Sequence, residues 1–143
     1  MSEAPPPIQD GLFERRGGEL VLVGGWSATS GHWHFPRRPV CPYTGADDVV
    51  AVDLPREGRL MWWTAVTAAP PGYEGPVPYG LGVVSLAGHG ELRLVTRLSV
   101  SDPGELIAGQ AMELVAEEIP TADGPRTTWA FQPAGGQQSG ERV

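Results

Sequence analysis

Glycine and proline interrupt this chain so often that short strands and turns are favoured over long helices. The 143 residues include twenty glycines and fifteen prolines. Glycine loses more backbone freedom than other residues when a helix forms, and proline breaks a helix interior because it lacks an N–H group. Glycine and proline at this frequency predict a mainly β protein with many turns.

From residue 46 onward the sequence is typical of a β protein, and Glu91–Leu98 and Met112–Ile119 alternate between two faces as half-buried strands do. The clearest case is Glu91–Leu98, where the even positions hold three leucines and a threonine and the odd positions hold Arg, Val and Arg. The strands predicted in this region are Val49–Leu54, Arg59–Thr67, Tyr79–Leu86, Glu91–Leu98, Met112–Ile119 and Thr127–Phe131. Before it, Glu19–Val23 predicts one more strand and Leu12–Arg16 predicts a helical turn.

Two connections add detail to this layout. Residues 87–90, Ala-Gly-His-Gly, predict a tight turn. The segment Asp102–Glu105 predicts the start of a short helix, because Asp102 can cap it and Pro103 fits its first turn. About five strands with one short helix between the third and fourth are typical of an OB-fold, a small Greek-key barrel.

The ends of the chain differ in composition from the middle. Residues 1–11 are polar and Pro-rich, and residues 135–143 are of low complexity, so both predict disordered or loosely held tails. The N-terminus lacks the basic and apolar stretches of a signal peptide, and no apolar run is long enough to cross a bilayer. We therefore expect a cytoplasmic protein that does not enter a membrane.

The charge of the chain bears on its partners. The net charge is −7, and residues 46–143 hold thirteen acidic residues against six arginines. Binding to nucleic acid or to an anionic membrane requires positive charge to neutralise phosphates. The composition therefore argues against both classes of partner.

Several short motifs occur in an order that matches a known family. They are Phe35–Pro42, Gly58–Val66, the pair Pro78-Tyr79, Leu106–Leu114 with Gly109, and Trp129–Phe131 followed by Pro133. Together they resemble the acyl-CoA-associated proteins of the domain-of-unknown-function 35 type, which have a rubredoxin-like zinc ribbon followed by an OB-fold. The resemblance runs from Leu12 to Pro133. It implies an N-terminal tail with a short helix (1–18), a ribbon knuckle (19–46), a barrel (47–133) and a tail (134–143).

The resemblance also shows where this chain departs from the family. The family's ribbon holds zinc with two Cys-x2-Cys pairs, and the corresponding positions here are Ser27, Ser30, Cys41 and Thr44. Hydroxyl groups are poor zinc ligands because they are neutral at pH 7, whereas thiolates supply charge. We expect a degenerate ribbon without metal, in which the hydroxyls bond to turn amides instead.

The same residues also offer two other kinds of chemistry, metal binding and nucleophilic catalysis. His32, His34 and Cys41 could form a substitute metal site, but a structural zinc site normally needs a fourth ligand. Cys41 could be a nucleophile with His34 as its base, yet the family position explains it as a former ligand. We expect no catalytic residue and no cofactor bound by the chain itself.

The expected binding residues are aromatic or basic. Trp62 and Trp63 are adjacent in one strand and must face opposite sides, so one fills the barrel and the other lies outside; the sequence does not say which. Arg37 and Arg38 suit the phosphates of coenzyme A or the acidic groups of a partner. The full set of expected partner or ligand contacts is Phe35, Arg37, Arg38, Trp62, Trp63, Tyr73 and Tyr79.

The resemblance implies a non-catalytic accessory subunit of a thiolase-superfamily enzyme. The partner would be a thiolase or a lipid-transfer-type thiolase or aldolase that acts on steroid or fatty acyl side chains, in a hetero-oligomer that binds a coenzyme A thioester. An OB-fold that binds oligonucleotides is the alternative, and a self-sufficient enzyme is a third possibility. The sequence leaves open the acyl-CoA, the partner's reaction and the stoichiometry.

Overall fold

The structure is a computed structural model, and it describes residues 5–86, 92–99 and 105–134. The described residues form nine strands: β1 Phe13–Arg16, β2 Glu19–Ser27, β3 His32–His34, β4 Val49–Asp53, β5 Glu57–Val66, β6 Tyr79–Leu86, β7 Arg93–Leu98, β8 Ala111–Thr121 and β9 Gly124–Pro133. The predicted turn at 87–90, the first residues of the predicted helix (102–104) and the predicted tail at 135–143 lie outside these ranges. No helix in the described ranges has the length and apolar character needed to span a membrane.

Five strands close into a barrel in the order β5-β6-β7-β9-β8. Adjacent strands in the barrel are antiparallel, except for β7 and β9, which are parallel where Leu98 pairs with Phe131. The alternation in β6 and β7 places every second side chain inside, as predicted, and Leu92, Leu94, Thr96 and Leu98 are all buried. The predicted mainly β OB-fold is confirmed.

The other four strands form a small sheet around β2. β3 and β4 both pair with the last residues of β2, on opposite sides, while β1 pairs with its first residues. The predicted strand Val49–Leu54 therefore exists as β4, but it pairs with β2 rather than with a barrel strand. The barrel pairing starts at Glu57, where β5 meets β8.

The prediction of a helical turn at Leu12–Arg16 is wrong. Phe13–Arg16 is a strand that pairs with Glu19–Leu22 through a two-residue turn. The turn residues Gly17 and Gly18 have φ of 62° and 90°, the left-handed conformation that tight hairpin turns need. The signal was in the sequence, because two glycines between two short runs are typical of a hairpin.

The prediction of a loose N-terminal tail is also wrong for residues 5–8. The amide of Ile8 donates to the Thr127 carbonyl (2.8 Å), and the amide of Thr127 donates to the Pro6 carbonyl (2.7 Å). The Thr127 hydroxyl donates to the Pro5 carbonyl at 2.7 Å. This segment therefore lies along the free edge of β9, and part of that edge is covered.

The small sheet and the barrel share one apolar core. Leu20, Leu22 and Leu54 belong to the same buried cluster as the barrel residues. Between them, the guanidinium of Arg56 donates to the carbonyls of Leu20 and Leu114, each at 2.9 Å. This one side chain therefore links a strand of the small sheet to a strand of the barrel.

Candidate functional site

The four positions that align with zinc ligands come together at one end of the small sheet. The structure places them in two similar turns. In the first, the amide of Gly31 donates to the Ser27 carbonyl, and in the second the amide of Gly45 donates to the Cys41 carbonyl (2.7 and 2.8 Å). Both glycines have positive φ, 70° and 80°, so each turn depends on a residue without a Cβ atom.

Hydroxyl groups fill the space between the two turns. The Ser27 and Ser30 hydroxyl oxygens are 3.1 Å apart, and the Ser30 hydroxyl is hydrogen-bonded to that of Thr44. Ser27 also accepts from the amide of Ser30, and Thr44 accepts from the amide of Ala46 at 3.3 Å. The predicted bonds to turn amides are therefore present for Ser27 and Thr44, whereas the Ser30 hydroxyl bonds to the other two hydroxyls instead.

A fifth residue, Asp48, completes this polar cluster. The Ser27 hydroxyl donates to one carboxylate oxygen of Asp48 at 2.5 Å, and the amide of Thr29 donates to the other at 2.8 Å. The two bonds lower the pKa of Asp48 to about 2. No local pattern in the sequence shows that this carboxylate will meet a hydroxyl 21 positions away.

Cys41 is 1% exposed within the same cluster. Burial raises the pKa of its thiol, but hydrogen bonds from the Ser30 and Thr44 hydroxyls and the amides of Tyr43 and Thr44 together bring the pKa down to about 7. The predicted alternative of a metal site with His32 and His34 is not assembled. Among the residues that the structure describes, no three His, Cys, Asp or Glu side chains are grouped closely enough to hold a metal ion.

The two histidines instead serve packing. His34 is buried against Gly25, where a Cβ atom would collide with the imidazole ring, and its Nε2 accepts from the amide of Arg38 at 3.2 Å. Burial lowers the pKa of His34, which keeps the ring neutral near pH 7. His32 is exposed and its ring lies 4.9 Å from that of Tyr43.

Phe35 anchors the loop that carries Arg37 and Arg38. Its ring packs edge-on against Trp129 of β9 with the centroids 5.5 Å apart. Phe13 contacts the other side of this group, 6.4 Å from Trp129. Phe35 therefore connects the end of β3 in the small sheet to the barrel, while Arg37 and Arg38 are exposed.

The structure resolves which tryptophan lies inside the barrel. β5 has a bulge at Met61, so that Leu60 pairs with Val84 but Trp62 pairs with Val83. The extra residue reverses the alternation, and Trp63 packs against the core while Trp62 is 58% exposed on the outer face. Gly82 lies opposite Trp63, and a Cβ atom there would collide with the Trp62 carbonyl oxygen and the Leu98 side chain.

Tyr73 and Tyr79 come together at the mouth of the barrel. Their rings are 5.2 Å apart, and the guanidinium of Arg97 lies over both, 5.5 Å from Tyr73 and 4.5 Å from Tyr79. Arg97 also pairs with Glu117 at 2.8 Å. These groups line a groove of about 280 Å³. Sequence reasoning missed Arg97 and Glu117, although the alternation had placed Arg97 on the outer side of β7.

The loop over this mouth is fixed to the β8–β9 hairpin. The amide of Glu74 donates to the Pro120 carbonyl, and the amide of Ala122 donates to the Gly72 carbonyl (3.0 and 2.9 Å). The Tyr73 hydroxyl donates to the Pro76 carbonyl within the loop. A loop held at several points offers a preformed surface.

Comparison with known proteins agrees with this architecture. A family profile described as the C-terminal OB-fold domain of ChsH2 matches residues 51–117. The chain is 30% identical over 113 residues to a DUF35 domain-containing scaffold protein of Pyrococcus furiosus, covering 79% of this chain and 82% of that one. Among solved structures, it is similar to a chain of the Ltp2-ChsH2(DUF35) aldolase, with a TM-score of 0.60, 27% identity, and coverage of 80% of this chain and 85% of that chain. The chain therefore belongs to the DUF35 family of OB-fold proteins.

Proposed function

We propose that this protein is the non-catalytic scaffold subunit of an aldolase complex whose catalytic partner is a lipid-transfer-type protein of the thiolase superfamily. The observation that carries the proposal is the similarity, over 80% of the chain, to a chain of the Ltp2-ChsH2(DUF35) aldolase. The relative from Pyrococcus furiosus, described as a scaffold protein, supports the same role. The substrate of the complex would be a coenzyme A thioester.

The environment of Cys41 supports a structural rather than a catalytic role for this chain. A thiol nucleophile must be accessible to substrate and needs a base or a positive charge beside it. Cys41 is almost fully buried, and its hydrogen-bond partners are hydroxyl and amide groups. Its lowered pKa is accounted for by the hydrogen bonds that hold the two turns together.

The loop of Arg37 and Arg38 supports a role in binding the thioester or the partner. Phe35 fixes the start of this loop against Trp129, and the amide of Arg38 is fixed by His34. Two exposed guanidinium groups on an anchored loop suit the phosphates of coenzyme A, which Arg binds through paired hydrogen bonds. We assign them this role within the proposed complex.

Co-expression with a lipid-transfer-type aldolase tests the proposal. We expect the two chains to elute together in size-exclusion chromatography at micromolar concentration, with light scattering giving the mass of a hetero-oligomer. The complex should cleave its acyl-CoA substrate, and Cys41→Ala should retain activity within a few-fold. Separate elution, with the partner fully active alone, would contradict the scaffold role, and loss of several orders of magnitude in Cys41→Ala would make Cys41 a nucleophile.

A further inference from the structure

The outward side chains of β5, β6 and β7 form an ordered face. Strand pairing places them in cross-strand rows, and the central row is Trp62, Val83 and Val95. One neighbouring row is Arg59, Ser85 and Arg93, and the other is Thr64, Leu81 and Arg97. We call these three rows the Trp62 face.

The centre of the Trp62 face is apolar and open. Trp62 is 58% exposed and Val95 is 66% exposed, with the partly buried Val83 between them. The bulge at Met61 is what turns the indole outward, since simple alternation would have placed Trp62 in the core. An exposed tryptophan at the centre of an apolar patch is typical of a residue that dominates a protein–protein interface.

The rim of the Trp62 face is basic, although the protein as a whole is acidic. Its three rows contain three arginines and no carboxylate, in a chain of net charge −7. Arg97 is partly neutralised by Glu117, and Arg59 donates to the Gly109 carbonyl at 3.3 Å. Glu113, Glu117 and Glu118 lie on β8, and Glu57 of β5 lies next to these rows, beyond Arg59. The three rows themselves therefore carry positive charge in an acidic protein.

The Trp62 face is smaller than the area that one partner buries in a stable interface. Strands about 4.8 Å apart and a rise of about 3.4 Å per residue give three strands over these rows an area of roughly 300 Å². A stable interface buries about 800 Å² on each partner. The face alone is too small, but it continues through Tyr79, the next outward residue of β6, onto Tyr73 in the fixed loop.

We propose that the Trp62 face, extended by the Tyr73 loop, docks on the catalytic partner at an apolar socket surrounded by carboxylates. The indole of Trp62 enters the socket, and Arg59 pairs with a carboxylate beside it. Complementary charge at the rim speeds association, whereas the buried aromatic supplies most of the affinity. This inference rests on the proposed function, because it names the surface through which that complex forms.

The test compares variants of the full-length protein for binding to the co-purified partner. Trp62→Ala should weaken the equilibrium affinity by at least about 30-fold, the effect expected of a central aromatic. Tyr43→Ala is the matched control, since Tyr43 is 61% exposed on the loop between β3 and β4, and it should bind within threefold of wild type. Because Trp62 is exposed, its removal should leave the melting temperature unchanged, which separates loss of binding from loss of folding.

A charge-reversal pair tests the rim. The double variant Arg59→Glu/Arg93→Glu should associate at least tenfold more slowly at low salt and lose most of the salt dependence of the association rate. Arg15→Glu, on the exposed strand β1 of the small sheet, should leave both unchanged. Binding of Trp62→Ala and the double variant at wild-type levels would overturn the inference while leaving the scaffold role intact.

Two further outcomes would also decide the inference. If the wild-type protein forms no complex with the partner, the proposed function and the inference fail together. OB-folds bind single-stranded nucleic acid with aromatic and basic groups on the corresponding strands. Micromolar binding of a fluorescent fifteen-nucleotide poly-dT, abolished by Trp62→Ala, would assign the face to nucleic acid and overturn docking on a protein.

Discussion

The barrel and the small sheet are stabilised by different kinds of side chain. Within the barrel, Leu60, Met112 and Phe131 are fully buried and apolar. At the end of the small sheet, the buried side chains are Ser27 and Cys41, and hydrogen bonds join them to their neighbours. The comparison indicates that hydrogen bonds between polar groups hold the end of the small sheet together, whereas the barrel depends on packed apolar side chains.

The largest expected effect is in the barrel. Phe131→Ala should lower the free energy of unfolding by about 3–5 kcal/mol, because it removes a fully buried ring and leaves a cavity at the junction of β7, β8 and β9. Urea unfolding followed by tryptophan fluorescence measures the loss. Val95→Ala, on the exposed face of β7, is the control and should change stability by less than about 0.5 kcal/mol. Equal losses in both variants would mean that the barrel is not held by its core.

The second effect concerns the four positions that the resemblance assigns to zinc ligands. The triple variant Ser27→Cys/Ser30→Cys/Thr44→Cys, together with Cys41, should bind one equivalent of zinc, because the four positions already converge. Zinc at a hundred times its dissociation constant would then add about 2.7 kcal/mol to the free energy of unfolding. Metal analysis and thermal unfolding with and without zinc provide the measurement.

The unchanged protein is the essential control for the zinc experiment. It should hold far less than one equivalent of zinc, and the corresponding triple alanine variant should hold none. A stoichiometric metal in the wild-type protein would contradict the expectation of a metal-free ribbon. Failure of the triple cysteine variant to bind zinc would show that the turns have lost the ligand geometry as well.

These differences explain which features could be read from the sequence. Alternation such as that of Leu92 to Leu98 depends only on local spacing, so the barrel strands were predicted close to their observed bounds. The bulge at Met61 could not be read in this way, because one extra residue reverses the direction of Trp62 and Trp63 without leaving a local signal. The hairpin at Gly17-Gly18 did have a local signal in the sequence, but the strand before it was predicted to be a helical turn.

The candidate site was predicted unevenly for a related reason. The alignment of Ser27, Ser30, Cys41 and Thr44 follows from spacing within two short turns, and the structure brings these positions together. The pair Arg97–Glu117 joins strands that are distant in sequence, as does the contact of Asp48 with Ser27. Such contacts depend on the closed topology of the barrel and the pairing of β2 with β4, and a single sequence does not supply them.

The third prediction tests whether the two regions unfold as one. Arg56→Met should lower the free energy of unfolding by about 2 kcal/mol, because it removes two charge-assisted hydrogen bonds that join β2 to β8. Arg59→Met is the control, since its one hydrogen bond to the Gly109 carbonyl is longer and exposed. Far-ultraviolet circular dichroism and tryptophan fluorescence should give separate transitions in Arg56→Met if the link couples the regions. Coincident transitions with unchanged stability would contradict this role.

The smallest expected effect is the pH dependence contributed by Asp48. Its pKa is lowered to about 2 in the folded protein by the Ser27 hydroxyl and the Thr29 amide, against about 3.9 in an unfolded chain. A lowered folded pKa means that the unfolded state binds the proton more tightly, so this stabilisation is present above about pH 4 and is lost as the pH falls towards 2. Asp48→Asn should therefore be less stable than wild type at pH 7, and the difference should shrink between pH 4 and pH 2. Urea unfolding across that range measures it, with the exposed neighbour variant Asp47→Asn as the control. A stability difference that stays constant from pH 7 to pH 2 would show that the Asp48 carboxylate does not support the two turns that carry Ser27, Ser30, Cys41 and Thr44.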